Sequence, residues 1–348
     1  MAVPAALVLS LEDPRWAAFV ARSPGATPFH HPAWAQLLAV TYRYRGFAIA
    51  VADDDDQLVA GAPFIEVHSL SGHRRWISLP FTDECPLLAD DPAAAQQLVT
   101  SLAGLRPRLR APTLEVRGLV DGFGWRAGAD AVIHELDLDA DVDHVKRQFS
   151  RSQVIRNIAR AEREAVVVRR ATNAADLEAF YALHADTRRR QGVPVQPRRF
   201  FELLWSRLVE PGIAHILLAD ADGHEAVAGA LFLSAYGTTI YKFGASTLAS
   251  RPQRPNHLIF WTAIQEACAR GVRRFDFGRT DLSNEGLRAF KHGWGAQERP
   301  LRYSTLSPGA GTLSEGLPSR ALSAAIRRGP GWVCRGTGEA LYRYAASR

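Results

Sequence analysis

From Val166 to Leu306 the apolar pattern alternates between a two-residue and a helical period, and this alternation limits the possible folds more than any other feature. Val166–Arg170 is a β-branched strand. Ala174–Gln191 is a helix with Leu177, Phe180, Tyr181 and His184 at helical spacing, stopped by Gly192 and Pro194. A second helix covers Pro197–Val209. Strands follow at Ala214–Ala219, Ala226–Tyr236 and Thr239–Ser246, with turns at Gly223 and Gly237. Asn256–Arg270 is a capped amphipathic helix ending at Gly271. Arg273–Gly278 is a strand, Asn284 opens a short helix, and Leu301–Leu306 is the last strand. The order β-α-α-β-β-β-α-β-α-β describes an α/β (α+β) unit, a mixed twisted sheet flanked by helices.

Residues before Val142 follow the same plan in outline. Helices are expected over Pro14–Arg22, Pro32–Thr41 and Pro92–Gly104. Strands are expected over Phe47–Ala52, Gln57–Val67, Arg74–Leu79, Thr113–Arg117 and His134–Leu138. Asp53–Asp56 forms a hairpin tip whose like charges require water. A chain of 348 residues fits two domains of about 150 residues plus a tail. The expected division is 1–141, a basic linker helix over 142–165, 166–308, and a basic tail over 309–348. In the tail, Ser319–Arg328 and Ala340–Ala346 read as helices parted by Gly329-Pro330-Gly331, packing on the first domain.

Hydrophobic residues make up 47% and charged residues 22%, the balance of a soluble globular protein. No apolar run approaches the roughly 18 to 20 residues that span a bilayer. The first residues lack a basic leader, so a cytoplasmic protein is expected, with peripheral contact at the inner membrane face as an option. Cys85, Cys268 and Cys334 have no paired spacing, which excludes a disulfide framework and a zinc knuckle. The net charge of +6 is concentrated in the tail and in Lys146, Arg147, Arg151, Arg156, Arg160 and Arg163. Such clusters suit RNA, nucleotide phosphates or an anionic membrane, and equally suit solvated helix faces.

The segment Phe275-Asp-Phe-Gly-Arg-Thr-Asp-Leu-Ser-Asn-Glu-Gly-Leu-Arg-Ala-Phe-Lys-His-Gly-Trp-Gly-Ala-Gln297 reads as a strand stopping at Gly278, a polar loop over Arg279–Ser283, and a short helix. That helix carries Leu287, Phe290 and Trp294 on one face and Arg288 with Lys291 on another. Its order of residues resembles the second domain of Fem-type aminoacyltransferases. These are relatives of GCN5-type N-acetyltransferases (GNAT) that load amino acids onto cell-wall precursors. The core Phe290-Lys291-His292-Gly293-Trp294 carries most of the resemblance, which covers residues 140 to 306 well and the first domain in outline. The resemblance implies two tandem GNAT-like acyltransferase domains and an acceptor cleft between them.

By that resemblance Lys291 is catalytic, its cation stabilising the oxyanion of acyl transfer. Asp276 has two readings, a carboxylate relaying the ammonium proton and a structural ion pair with Arg279 or Arg274. Arg279 and Asp281 complete its loop, and Phe290 lies in the motif. Tyr241 and Lys242 stand on the strand before the expected donor turn. No Gly-x-Gly appears there; Arg251-Pro-Gln-Arg-Pro-Asn-His257 takes its place. Asn256 reads as a helix cap or a phosphate ligand, His257 as a base or a structural histidine. Arg190 ends a helix, as a stop signal or as a reach toward the donor. In the first half, Asp83 with Glu84 reads as a solvated loop or an acceptor contact.

The function expected is N-acyl transfer from acyl-CoA or aminoacyl-tRNA as co-substrate, with no tightly bound cofactor and no metal. The acceptor is an amine of an envelope, peptidoglycan or exopolysaccharide precursor. The alternative is a non-catalytic GNAT-fold protein that docks on RNA or anionic membrane through its basic faces.

Overall fold

The computed structural model describes residues 6–68, 74–108, 113–307 and 320–345. It divides into two compact units, 1–130 with 301–317 and 341–348, and 131–300 with 318–340. Their elements, in chain order, start with β1 (Leu7–Leu9), α1 (Pro14–Arg22), α2 (Pro32–Tyr42), β2 (Arg45–Ala52), β3 (Leu58–His68), β4 (Arg74–Ile77), β5 (Leu88–Ala89), α3 (Pro92–Arg108), β6 (Thr113–Val116) and β7 (Trp125–Asp137). Then come α4 (Val142–Arg147), α5 (Arg156–Arg163), β8 (Val167–Arg170), α6 (Ala174–Gln191), α7 (Arg198–Leu204), β9 (Ala214–Ala221), β10 (His224–Ala235) and β11 (Thr238–Ser246). The last are α8 (Pro255–Ala269), β12 (Arg274–Asp281), α9 (Glu285–Gly293), β13 (Gln297–Leu306), α10 (Arg320–Arg328) and α11 (Gly331–Ala345).

Both units repeat one topology. In the first, the strand order is β1-β2-β3-β4-β6-β13, antiparallel except where β4 joins β6 in parallel. In the second it is β8-β9-β10-β11-β12-β7, antiparallel except where β11 joins β12. A helix makes each parallel crossover, α3 in one and α8 in the other, as a parallel pair requires. The closing strand of each sheet comes from the other half of the sequence. Residues 131–137 pair with β12, and 304–306 pair with β6. This exchange is why the expected boundary at 141 moves to 130.

In the first unit α3 covers Phe47, Ile49, Phe64 and Leu114, the alternate residues of their strands. In the second, one sheet face packs Phe180, Phe200 and Phe201 from α6 and α7 against Phe243. The other face holds a larger core of Phe149, Phe232, Phe260, Phe275, Phe277 and Trp294.

Several expectations change. The single helix expected over 142–165 is α4, a π-helical turn over Arg151–Ile155 capped by Ser150, and α5. It is no linker. Val145, Phe149, Val154 and Ile158 are buried in the second unit's core, with Ile155 packed against it. The strand expected to stop at Gly278 runs on to Asp281 through a bulge. Asn256 does not cap α8; Pro255 occupies the first helical turn, which moves the cap to Arg254. From 320 to 340 the tail packs within the second unit, with Cys334 Sγ 3.4 Å from the Val193 carbonyl and an Arg327 bond to the Gln191 carbonyl. Its glycines did not stop α11, which begins at Gly331. Ser319 and Ala346, in the two expected tail helices, lie outside the described residues. Among the described residues no helix is long and apolar enough to cross a membrane.

Burial leaves a titration signature. It lowers the pKa of His30 to about 4 and those of His184 and His215 to about 3, below the ordinary value near 6.5. Unfolding restores the ordinary value, so below about pH 6.5 the unfolded chain binds more protons than the folded one. Stability is therefore full above that pH and falls as pH drops toward 4. The slope is up to about 1.4 kcal/mol per pH unit for each histidine. Urea midpoints at pH 7.5 and 5 are expected to show this loss, and His184→Gln to reduce it. Equal midpoints would contradict it.

Candidate active site

β11 and β12 run in parallel for three residue pairs, ending at Ile240↔Asp276, although both strands continue. Each bulges just beyond that pair. In β11 the register against β10 passes from Phe243 to Tyr241, leaving Lys242 as the extra residue. In β12 the register against β7 passes from Asp276↔Glu135 to Arg279↔Ile133, so Phe277 and Gly278 together oppose His134. A bulge bends its strand and re-aims its side chains. Two bulges at one level part the strands.

The bulge in β12 is held from two directions. The Gly278 N–H donates to Asp276 Oδ1 at 2.7 Å, and the Gly278 carbonyl accepts from Lys291 Nζ at 2.6 Å. The same amine lies 3.2 Å from the Arg279 carbonyl. Gly278 has φ +74°, a left-handed conformation that a Cβ disfavours. Lys291 is only 3% exposed and Asp276 6%, so neither is a solvated surface charge.

Local sequence places the lysine. Asn284 Oδ1 accepts from the Leu287 N–H and caps α9; Glu285 opens the helix and Lys291 with His292 closes it, matching its dipole. Phe290 and Trp294 anchor one side, packed on Phe260 and His257. Lys291, about 100° further round, then faces β12. The two glycines after it serve a close approach. A Cβ on Gly293 would meet Gln153 at 2.8 Å, and one on Gly295 would meet Gln148 at 2.8 Å. Ser150 N–H also donates to the Gly293 carbonyl. The π-helical turn thus seats against the end of α9.

The remaining expected residues fall into three places. Arg279 pairs with Asp281 at 3.0 Å on the continuing strand. Tyr241 packs edge-on against Phe260, and burial raises its pKa to about 12; Lys242 lies over Phe243. At the end of β11, Arg190 bonds the Ser246 carbonyl and Asn256 Nδ2 lies 3.4 Å from Ser246 Oγ, so these two meet at one residue. His257 is a packing residue. It is buried between Phe290 and Trp294, lies 3.3 Å from Asn157 Nδ2, and has its pKa lowered to about 4 by burial. Asp83 belongs to the first unit, where its carbonyl accepts from Tyr303 Oη at 2.8 Å.

His134, Arg288 and Glu298 were not anticipated. Arg288 grips Glu298 with two bonds of 2.9 and 3.0 Å, tying α9 to β13. Two signals in the chain point here. Gly278 interrupts a strand, which marks a bulge. Of 42 basic residues only three are lysine, Lys146, Lys242 and Lys291.

Residues 148–292 match the acetyltransferase (GNAT) domain family. The fold is that of FemX, with a TM-score of 0.67 at 17% identity over 86% of this chain and 96% of FemX. L-PGS from Bacillus licheniformis is similar at a TM-score of 0.58 and 14% identity, covering 92% of this chain and 97% of that one. A tandem GNAT protein from the clavulanic acid biosynthesis pathway aligns at 0.52 and 12%, covering 88% and 99%. No curated protein shows a significant sequence match.

Replacing Lys291 with methionine keeps most of its volume and removes the donor to the buried Gly278 carbonyl and the half-buried Arg279 carbonyl. The variant is expected to fold with a stability loss of roughly 1–3 kcal/mol in urea denaturation. An unchanged midpoint would mean that the amine does not hold the bulge.

Proposed function

We propose that this chain, whose residues 148–292 match the acetyltransferase (GNAT) domain family, moves an acyl or aminoacyl group from a phosphate-bearing donor to an amine. The buried Lys291 amine beside the parting of β11 and β12 carries this reading. A donor acyl chain enters where strands separate, because unpaired backbone groups there need partners. Attack by the amine makes a tetrahedral oxyanion. A cation held in a low-dielectric setting stabilises that charge far more than one in water. The attacking nitrogen loses its proton, the ester or thioester bond breaks, and the leaving oxygen or sulfur takes a proton. No covalent enzyme intermediate is needed. Asp276, already committed to Gly278, serves first to shape the bulge.

The donor phosphates are assigned to the turn before α8. Pro252 and Pro255 lack N–H groups, and the His257 N–H is bonded to the Arg254 carbonyl. This turn therefore offers few backbone donors for a pyrophosphate. Exposed Arg251 and Arg254 supply guanidinium groups instead, which bind phosphate oxygens in pairs. Acyl-CoA and aminoacyl-tRNA share this chemistry. The acceptor is placed among amine-bearing envelope or exopolysaccharide precursors, a reading supported by the fold shared with FemX and L-PGS. A protein that only docked on RNA or membrane would gain nothing from burying an ammonium at this point.

Labelled acyl-CoA thioesters and charged tRNA, offered with amine acceptors, separate the donors. Transfer is expected with one of them, and Lys291→Met is expected to lower kcat on the order of 100-fold. A folded methionine variant with normal turnover would reject the role of the lysine. A wild-type protein inert toward both donors would reject the reading itself.

A further inference from the structure

Beneath α9 lies a polar group that the proposed reaction does not yet use. His134 is fully buried on β7, at the ladder position facing Phe277 and Gly278. Its Nε2 is 3.3 Å from Glu298 Oε2, within charge contact but outside hydrogen-bond geometry. Its Nδ1 also has no hydrogen-bond partner. Thr280, paired with Val132 two residues along β7 and so on the same face, has a buried Oγ1 in the same condition. The His292 ring stands perpendicular at 6.5 Å.

Unmet buried polar atoms are costly, and an apolar side chain at 134 would remove that cost. Their presence beside the Lys291 bulge has a use if they define the polarity under the amine. We propose that His134 is a positioning residue for Lys291: backed by Glu298 and set against the Gly278 bulge, its imidazole keeps the lysine amine on the carbonyls it holds. This inference rests on the acyl-transfer reading for its purpose, though not for its geometry.

The surrounding charges fit. From α9 come Arg288, Lys291 and His292, with Glu285 at the helix start. From β13 come Glu298, gripped by Arg288, and Arg299, which pairs with Glu135 of β7 at 2.8 Å. From β12, Asp276 accepts from Gly278 and Arg279 pairs with Asp281. Glu298 is the acid His134 meets, and it already serves an arginine. Burial, then the nearby Lys291 charge, lower the His134 pKa to about 4, so the imidazole is neutral at physiological pH. A charged imidazole would set another cation against the lysine. A neutral one adds polarity without repulsion.

The test uses the full chain labelled at lysine Cε. Its three lysines give three signals, and Lys291→Met assigns one of them. In His134→Ala the Lys291 signal is expected to move while those of Lys146 and Lys242 stay, with His134→Gln restoring it. In steady-state assays His134→Ala is expected to lower kcat about tenfold with KM within about threefold, and to add less than about twofold to the loss in Lys291→Met. Should His134→Ala fail to fold, Glu298→Gln is expected to move the same signal. An unmoved Lys291 signal in a folded variant, or fully additive losses, would overturn the proposal. The spectra decide it even if neither donor reacts, a result that would instead count against the acyl-transfer reading.

Discussion

One glycine peptide organises the second unit. Its N–H is taken by the carboxylate of Asp276, two residues earlier, and its carbonyl by the amine of Lys291, thirteen residues later. Without both bonds the left-handed turn at Gly278 would leave a buried donor and a buried acceptor unmet, each worth about 1–3 kcal/mol. With them, β12 can bulge, leave β11 and still pair again with β7 from Arg279 onward. The strand separation and the buried charge thus come from the same contacts. The lysine meets this place as a compact ammonium whose three donors are free to rotate, two of them reaching the Gly278 and Arg279 carbonyls. In a chain with only three lysines, that choice carries weight.

Much of the fold was legible because its signals are local. α6 appears with the expected bounds, since Asn173 accepts from Asp176 N–H at one end and Gly192 takes a left-handed conformation at the other. β9, β10 and β11 fall within two residues of expectation, fixed by turns at Gly223 and Gly237. What was not legible depends on partners distant in sequence. The strand order that sends 131–137 to β12 and 304–306 to β6 leaves no mark in either segment's periodicity. The π-helical turn at 151–155 keeps helical spacing of Val154 and Ile158, so it is indistinguishable from plain helix in the sequence. α11 contains Gly336 and Gly338, which cost about 1 kcal/mol each in a helix. Cys334 and Tyr342, both buried by tertiary packing, offset that cost.

The site was legible where one segment holds all of it. The Phe-Lys-His-Gly-Trp-Gly run sets the direction of Lys291 toward β12, because Phe290 and Trp294 pack on Phe260 and leave the helix one way to face. Asp276 reads from the chain as a proton relay or an ion pair with Arg279 or Arg274, and neither reading includes its bond to the Gly278 N–H. Alternation along β12 predicted its face but not its partner, which sits in its own strand's bulge. His257 reads from the chain as a base or a structural histidine, and its burial between Phe290 and Trp294 depends on packing that no local pattern reveals. Arg190 and Asn256 were each weighed alone, yet they meet at Ser246, a residue to which no motif draws attention.

His134 shows how far strand alternation can be pushed. Its neighbours of like parity, Val132 and Leu136, are apolar and buried, so the pattern assigns it to the core. A buried histidine normally finds partners for its ring nitrogens, as His30 does with Thr27 and the Pro86 carbonyl. His134 has no such bond. Opposite it stand two residues of β12 instead of one, and the extra residue, Gly278, turns its carbonyl toward Lys291. A buried ammonium and an unsatisfied imidazole thus stand at the same bulge, and the proposed positioning role of His134 rests on that juxtaposition.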